Sequence, residues 1–174
     1  MRVLGVDPGL TRCGVGVSRA CRAAPARSWP TTWLTDPADD LPLRLLHLDR
    51  SLTDLVAEHR PDAVAVERVF SQHNVRTVMG TAQASGVAVL AGARAGLPVT
   101  TYTPSEVKAA VTGSGQADKA QMTAMVTRLL RLPEPPKPAD AADALALAIC
   151  HVWRGGTRSK LAEAAQRARR GGTR

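Results

Sequence analysis

Four carboxylates in this chain stand where a metal-dependent hydrolase needs them. Asp7 closes the apolar run VLGVD and Glu67 closes AVAVE. An acid that ends an apolar strand sits where the backbone leaves the core. One such acid is an ordinary strand end. Two on adjacent parallel strands repel each other unless a cation lies between them. Asp140 and Asp143 are three residues apart and share one face of a helix's first turns. The helix dipole accommodates acids there without any further role. The segment that follows, AADALALAIC, is nearly all apolar or small, so a buried helix carries the two acids. Four carboxylates from three elements form a hard-oxygen cage suited to Mg2+ or Mn2+. Two such ions about 4 Å apart activate a water and stabilise a leaving 3′-oxygen in phosphodiester hydrolysis. Other chemistries find little support. No Ser/His/Asp spacing is evident, and His47, His59, His73 and His151 lack zinc-ligand spacing. Cys13, Cys21 and Cys150 are odd in number with no CxxC pair, which predicts reduced structural thiols.

The elements that must position these acids follow from patterning. Residues 2–7 and 62–67 read as short apolar strands, 13–18 as a returning strand after the turn at Pro8–Gly9, and 98–102 as a further strand. Leu45, Leu48, Leu52, Leu55 and His59 repeat at helical spacing, which predicts a helix over 43–59 that Pro61 ends. Asn74 is a candidate cap for a helix over 75–95. Thr103-Pro104-Ser105-Glu106 has the form of a capping box with Pro at the first helical position. Further helices are expected over 118–131 and 138–153. This alternation predicts an α/β fold, a sheet flanked by helices. A right-handed crossover through 43–59 makes the strands at 2–7 and 62–67 parallel neighbours. Their terminal acids then share the carboxyl edge, where open α/β sheets place active sites.

Length and charge bound the rest. The 174 residues suffice for one domain with a core, assigned to 1–153. No apolar run reaches the length of a membrane span, and the N-terminus lacks a signal-peptide layout, so a cytoplasmic location is expected. The net charge is +8, but residues 154–174 hold seven Lys/Arg against one acid, leaving only +2 for the remainder. That segment is expected to be a disordered basic tail, which suits either a polyanion partner or simple solvation.

The stretches DPGLTRCGVGV, AVERVFSQHN, YTPSEVKAAVTGSG, ADKAQ and PADAADALALAICH resemble the RuvC-type Holliday junction resolvases in an actinobacterial style. The resemblance spans about residues 1–17 and 36–153. It implies an RNase H-like fold, a mixed central sheet with flanking helices, and a homodimer. It also implies structure-selective nicking of four-way junctions in recombination and repair, and catalytic metal ligands at Asp7, Glu67, Asp140 and Asp143. Mg2+ is the implied cofactor, two per subunit, with Mn2+ as a substitute, and the RuvA–RuvB branch-migration complex is the implied partner. Lys108 and Lys119 flank the TGSGQAD loop; solvated lysines are the plain reading, and the resemblance puts both on the scissile-strand backbone. Phe70 is the only Phe. Core packing is its default, but its polar setting beyond Glu67, and the resemblance, favour stacking on an unpaired base. His73, Asn74 and Arg76 are either DNA contacts or surface residues.

The chain departs from the family pattern at 18–35, where Arg, Ala, Pro and Trp replace a regular hairpin strand and leave that sheet edge unassigned. DPGLT also fits the phosphate loop of actin-like ATPases, but no glycine-rich second motif accompanies it; another RNase H-like nuclease is the nearer alternative. A stripe of small residues, Gly80, Ala84, Ala88, Gly92 and Gly96, suggests close approach of a second subunit's helix, or packing on this chain's own sheet.

Overall fold

The computed structural model describes residues 1–19, 28–68 and 75–171, with side chains described over 1–18, 30–68 and 78–155. The elements in chain order are β1 (Arg2–Asp7), β2 (Arg12–Arg19), β3 (Ser28–Leu34), α1 (Leu41–His59), β4 (Ala63–Glu67) and α2 (Val75–Arg94). They continue with β5 (Val99–Tyr102), α3 (Pro104–Thr112), α4 (Lys119–Leu130) and α5 (Ala139–Gly171). The strands form one mixed sheet in the order β3-β2-β1-β4-β5. β1 pairs antiparallel with β2 and parallel with β4, as the crossover argument requires.

Strand alternation sorts the side chains onto two faces. Leu4, Val6, Val15, Val17, Val64 and Val66 pack with Leu48, Leu52 and Leu55 of α1 and with Ala84, Ala88 and Ala91 of α2. Val3, Ala65 and Tyr102 point the other way, into a core closed by α3, α4 and α5. Asp7 is two and four residues from Gly5 and Val3, and Glu67 is two from Ala65. Both acids therefore lie on the α5 face.

Helix α5 is buried on every side between Ala141 and Cys150, apart from half-buried Asp143. It lies so close to the sheet that side chains do not fit beneath it. A Cβ on Gly5 would strike the carbonyl oxygen of Ala144, and one on Gly14 the carbonyl oxygen of Asp140.

Three expectations change. The irregular segment does contain a strand: β3 pairs with β2 from Arg12↔Leu34 to Ser18↔Ser28. As an edge strand it tolerates Pro30, which has no N–H to give. Helix α5 runs to Gly171, past the end expected at Trp153. The sequence after Gly155-Gly156-Thr157 returns to strong helix formers such as Leu161, Ala162, Glu163 and Gln166.

The small-residue stripe is the third. Ala84 and Ala88 are fully buried within the single chain, a Cβ on Gly92 would lie 2.6 Å from Val99, and Gly80 faces Leu10. From Gly80 to Gly92 the stripe lets α2 settle on its own sheet and is not a subunit contact, while Gly96 lies exposed beyond the helix end. The outward side of α2 carries Met79, Ala82, Gly86, Val89, Leu90 and Ala93, all exposed and uncharged.

Candidate active site

The register Val6↔Val66 carries Asp7 and Glu67 to adjacent strand ends. Helix α5 crosses that edge with its first turns. Gly14, lacking a Cβ, admits the backbone of Asp140. One carboxylate oxygen from each of Asp7, Asp140 and Asp143 lies within 4.8 Å of the others. Glu67 stands at the neighbouring strand end and lines the same pocket as these three.

Crowding acids at a half-buried edge favours their protonated forms. Burial raises the Asp7 pKa most; the hydrogen bond from Glu67 lowers it, the Asp140 charge raises it and Lys119 lowers it. Burial also leads at Glu67, and Asp7 adds to it through the hydrogen bond and its charge, lifting Glu67 to about 9. The Asp143 pKa rises chiefly by burial, then by the Asp7 charge, with Lys119 opposing. Such a cluster is electrostatically unsatisfied at neutral pH and is stabilised by a cation.

The donor set fits a hard divalent ion. All the converging atoms are carboxylate oxygens. Among the described residues, Asp140 Oδ2 is enclosed and receives no hydrogen bond, and the Arg12 Nε lies 3.4 Å away as an ionic neighbour. Asp7, Asp140 and Asp143 are the described residues whose oxygens lie close enough together to share such an ion.

The four acids line one side of a pocket of about 330 Å3, and Lys108 and Lys119 line it too. Its apolar side comes from Val107, Met122 and Leu147. Helix α3 is started by the expected capping box, Thr103 with Glu106, and α4 by a second one, Asp118 with Gln121. These caps fix where the two lysines emerge. Lys119 Nζ lies 3.7 Å from Asp143 Oδ2. Among the sequence-selected residues, the four acids and two lysines therefore share one pocket. Phe70, His73 and Asn74 lie outside the described residues, as does the side chain of Arg76.

Sequence reasoning missed the supports. Thr35 Oγ1 donates to the Leu10 carbonyl at 2.5 Å, and Arg44 donates to Thr35 Oγ1 and Thr11 Oγ1, which together pin the β1–β2 turn. Buried Tyr102 and His151 share a 3.0 Å hydrogen bond between its hydroxyl and Nδ1, and Arg154 pairs with Glu106 at 3.7 Å. The first contact ties β5 to α5 and the second ties α3 to α5. The order AICHVWR at helical spacing from PADAAD was the only available signal for the second set.

The family model described as crossover junction endodeoxyribonuclease RuvC matches residues 3–151. The protein of that name from Salinispora arenicola is 82% identical over 180 aligned positions, covering 100% of both chains. The one from Streptomyces avermitilis is 63% identical over 94% of each. The solved structure of T. thermophilus RuvC in complex with Holliday junction substrate superposes with a TM-score of 0.84 at 35% identity, over 89% of this chain and 94% of that one. The yeast mitochondrial resolvase Ydc2, at 15% identity and a TM-score of 0.57 over 86% and 78% of the two chains, shares the fold alone.

Proposed function

The chain belongs to the RuvC family of crossover junction endodeoxyribonucleases, with its RNase H-like fold, and from that premise we propose that it resolves four-way DNA junctions at the Asp7 cluster. The observation that carries this reading is the meeting of Asp7, Asp140 and Asp143 within 4.8 Å, with Glu67 and two lysines in the same pocket.

Asp7, Glu67, Asp140 and Asp143 hold Mg2+, two ions per subunit, and Mn2+ substitutes. When bound, the ions supply the charge that activates a water and stabilises the departing 3′-oxygen. Glu67 gives up its proton as the site loads. Lys108 and Lys119 hold the phosphates of the scissile strand, and the apolar wall keeps the strand against the acids. Phe70, three residues beyond Glu67 in sequence, stacks on a base unpaired at the junction centre.

A four-way junction presents two equivalent strands, so one site per chain calls for a two-fold dimer. The exposed, uncharged side of α2 (Met79, Gly86, Val89, Leu90) is the surface that supports it. Residues 1–153 form the nuclease unit, and the basic segment 154–174 adds salt-sensitive affinity for DNA. RuvA–RuvB is the proposed delivering complex. Among the described residues no helix is long and apolar enough to cross a membrane, which agrees with the proposed work on DNA in the cytoplasm.

The test is a synthetic mobile four-way junction set against linear duplex of the same sequence, with and without Mg2+. Paired nicks are expected in the junction alone and only with the metal. Equal cutting of both substrates, or cutting in chelator, contradicts the reading.

A further inference from the structure

Arg12 is the first residue of β2, directly after the turn that follows the strand of Asp7, and its Nε is 3.4 Å from Asp140 Oδ2. That exceeds a normal N–H···O distance, so the contact is ionic and not a closed hydrogen bond. The Arg12 side chain is 59% exposed. Ion pairs of this kind are weak and readily exchanged.

The backbone beneath the side chain is not free to move. Thr35 binds the Leu10 and Thr11 carbonyls, and Arg44 binds the Thr11 hydroxyl at 2.8 Å. A fixed root carries a loosely held guanidinium. Lys119 stands in the same relation to Asp143, at 3.7 Å and 78% exposed. Arg12 opens β2, on the side of β1 away from β4, and holds Asp140, whereas Lys119 lines the pocket and holds Asp143, so each cation neutralises a different member of the acid pair.

Both act as internal counter-ions of a crowded carboxylate cluster. A divalent ion seated on Asp140 takes over that charge and repels the guanidinium. The nearest anion left for Arg12 is then the DNA backbone that the site must hold, and the planar guanidinium matches phosphate geometry.

We propose that Arg12 is a metal-released phosphate contact. It pairs with Asp140 while the site lacks its cation, and it moves onto the DNA strand, as a contact separate from that of Lys119, once a divalent ion occupies the acids. This rests on the nuclease reading of the site.

The experiment measures junction affinity against salt for the full chain, Arg12→Gln and Arg12→Lys, in EDTA and in Ca2+. Each phosphate contact contributes a slope of about −0.9 in log K against log salt on duplex DNA. In Ca2+, Arg12→Gln is expected to lose about one such contact per site, while Arg12→Lys keeps the wild-type slope. In EDTA all three slopes should coincide. Without DNA, Arg12→Gln should bind Mn2+ severalfold more tightly than wild type, read by the EPR signal of the free ion. Melting curves that coincide exclude a loss of folding.

Equal slopes for Arg12→Gln and wild type in Ca2+, a difference already present in EDTA, or weakened Mn2+ binding would each overturn the proposal. Cleavage of the junction by wild type in Mg2+ is measured in parallel. Its absence defeats the nuclease reading itself, whereas an active wild type with unchanged slopes defeats only the role of Arg12.

Discussion

The two faces of the sheet are packed by different rules. On one, α1 and α2 cover Leu4, Val6, Val64 and Val66 with leucines and alanines, and even at the close approach of Gly92 the nearest atoms are the side chains of Val99 and Val64. On the other, α5 lies almost on the strands, over Gly5, Gly14 and Gly16, with alanines at 141, 142, 144, 146 and 148. The first face serves stability. The second gives up side-chain volume and gains the position of two backbone turns, those that carry Asp140 and Asp143 to Asp7. Leucines under α5 would fill space better but would lift the helix, and the acids with it.

The contrast is broken most severely at Gly5. Gly5→Ala drives a methyl into the Ala144 carbonyl, which cannot rotate away as a side chain can. A displacement of about 1 Å at a catalytic group costs on the order of 100-fold in rate. We expect at least that loss in junction cleavage from whatever fraction folds. Leu52→Ala on the opposite face should lower stability by about 2–5 kcal/mol, yet leave the rate per folded molecule near wild type. Denaturant melts paired with single-turnover cleavage separate the two, and equal rate losses would erase the distinction between faces.

The next effect is on thermal stability and its pH dependence. Glu67 is raised to about 9 in the fold, and Asp7 and Asp143 are raised as well. An unfolded Glu titrates near about 4.3. The stability tied to the protonated group is complete below that value and is lost as pH rises through about 9. Melting of the protein in chelator should therefore fall from pH 5 to pH 9. Mg2+ requires the ionised acids, so the gain in Tm on adding it should grow over the same interval. Glu67→Gln should flatten the chelator curve. Leu52→Ala should shift both curves without changing their pH dependence. A Mg2+ gain that shrinks with rising pH would show that the acids do not hold it.

A smaller effect is expected on the outer side of α2. Leu90→Arg should yield monomers that melt close to wild type, because that side chain faces solvent in the single chain. Ala84→Arg should instead prevent folding, since it forces a charge into the core. Sedimentation and melting curves distinguish them. A folded Ala84→Arg monomer would return the small-residue stripe to the subunit interface.

Much of this arrangement was legible in the sequence. VLGVD and AVAVE fixed two strand ends, and the helix between them fixed their parallel pairing. The Asp140–Asp143 spacing before an apolar run gave the third element. What could not be read was which partner a small residue makes room for. Gly80, Ala84, Ala88 and Gly92 have the spacing of a helix–helix contact, but the same spacing serves helix-on-sheet packing. The choice depends on three-dimensional neighbours such as Val64 and Val99. Strand β3 was hidden for a related reason. An edge strand bonded on one side only tolerates Pro30 and lacks the alternation of a buried strand. Arg12 gave no signal beyond its charge, because its meaning comes from Gly14 admitting Asp140 beside it.

The central claim is that the acids perform the chemistry while other groups hold the DNA. Asp7→Asn tests it most directly, through cleavage and equilibrium binding of one four-way junction in the same buffer. The account expects cleavage to be abolished in Mg2+ with binding within a few-fold of wild type, since phosphate contacts carry the affinity. Near-normal cleavage by Asp7→Asn would contradict it.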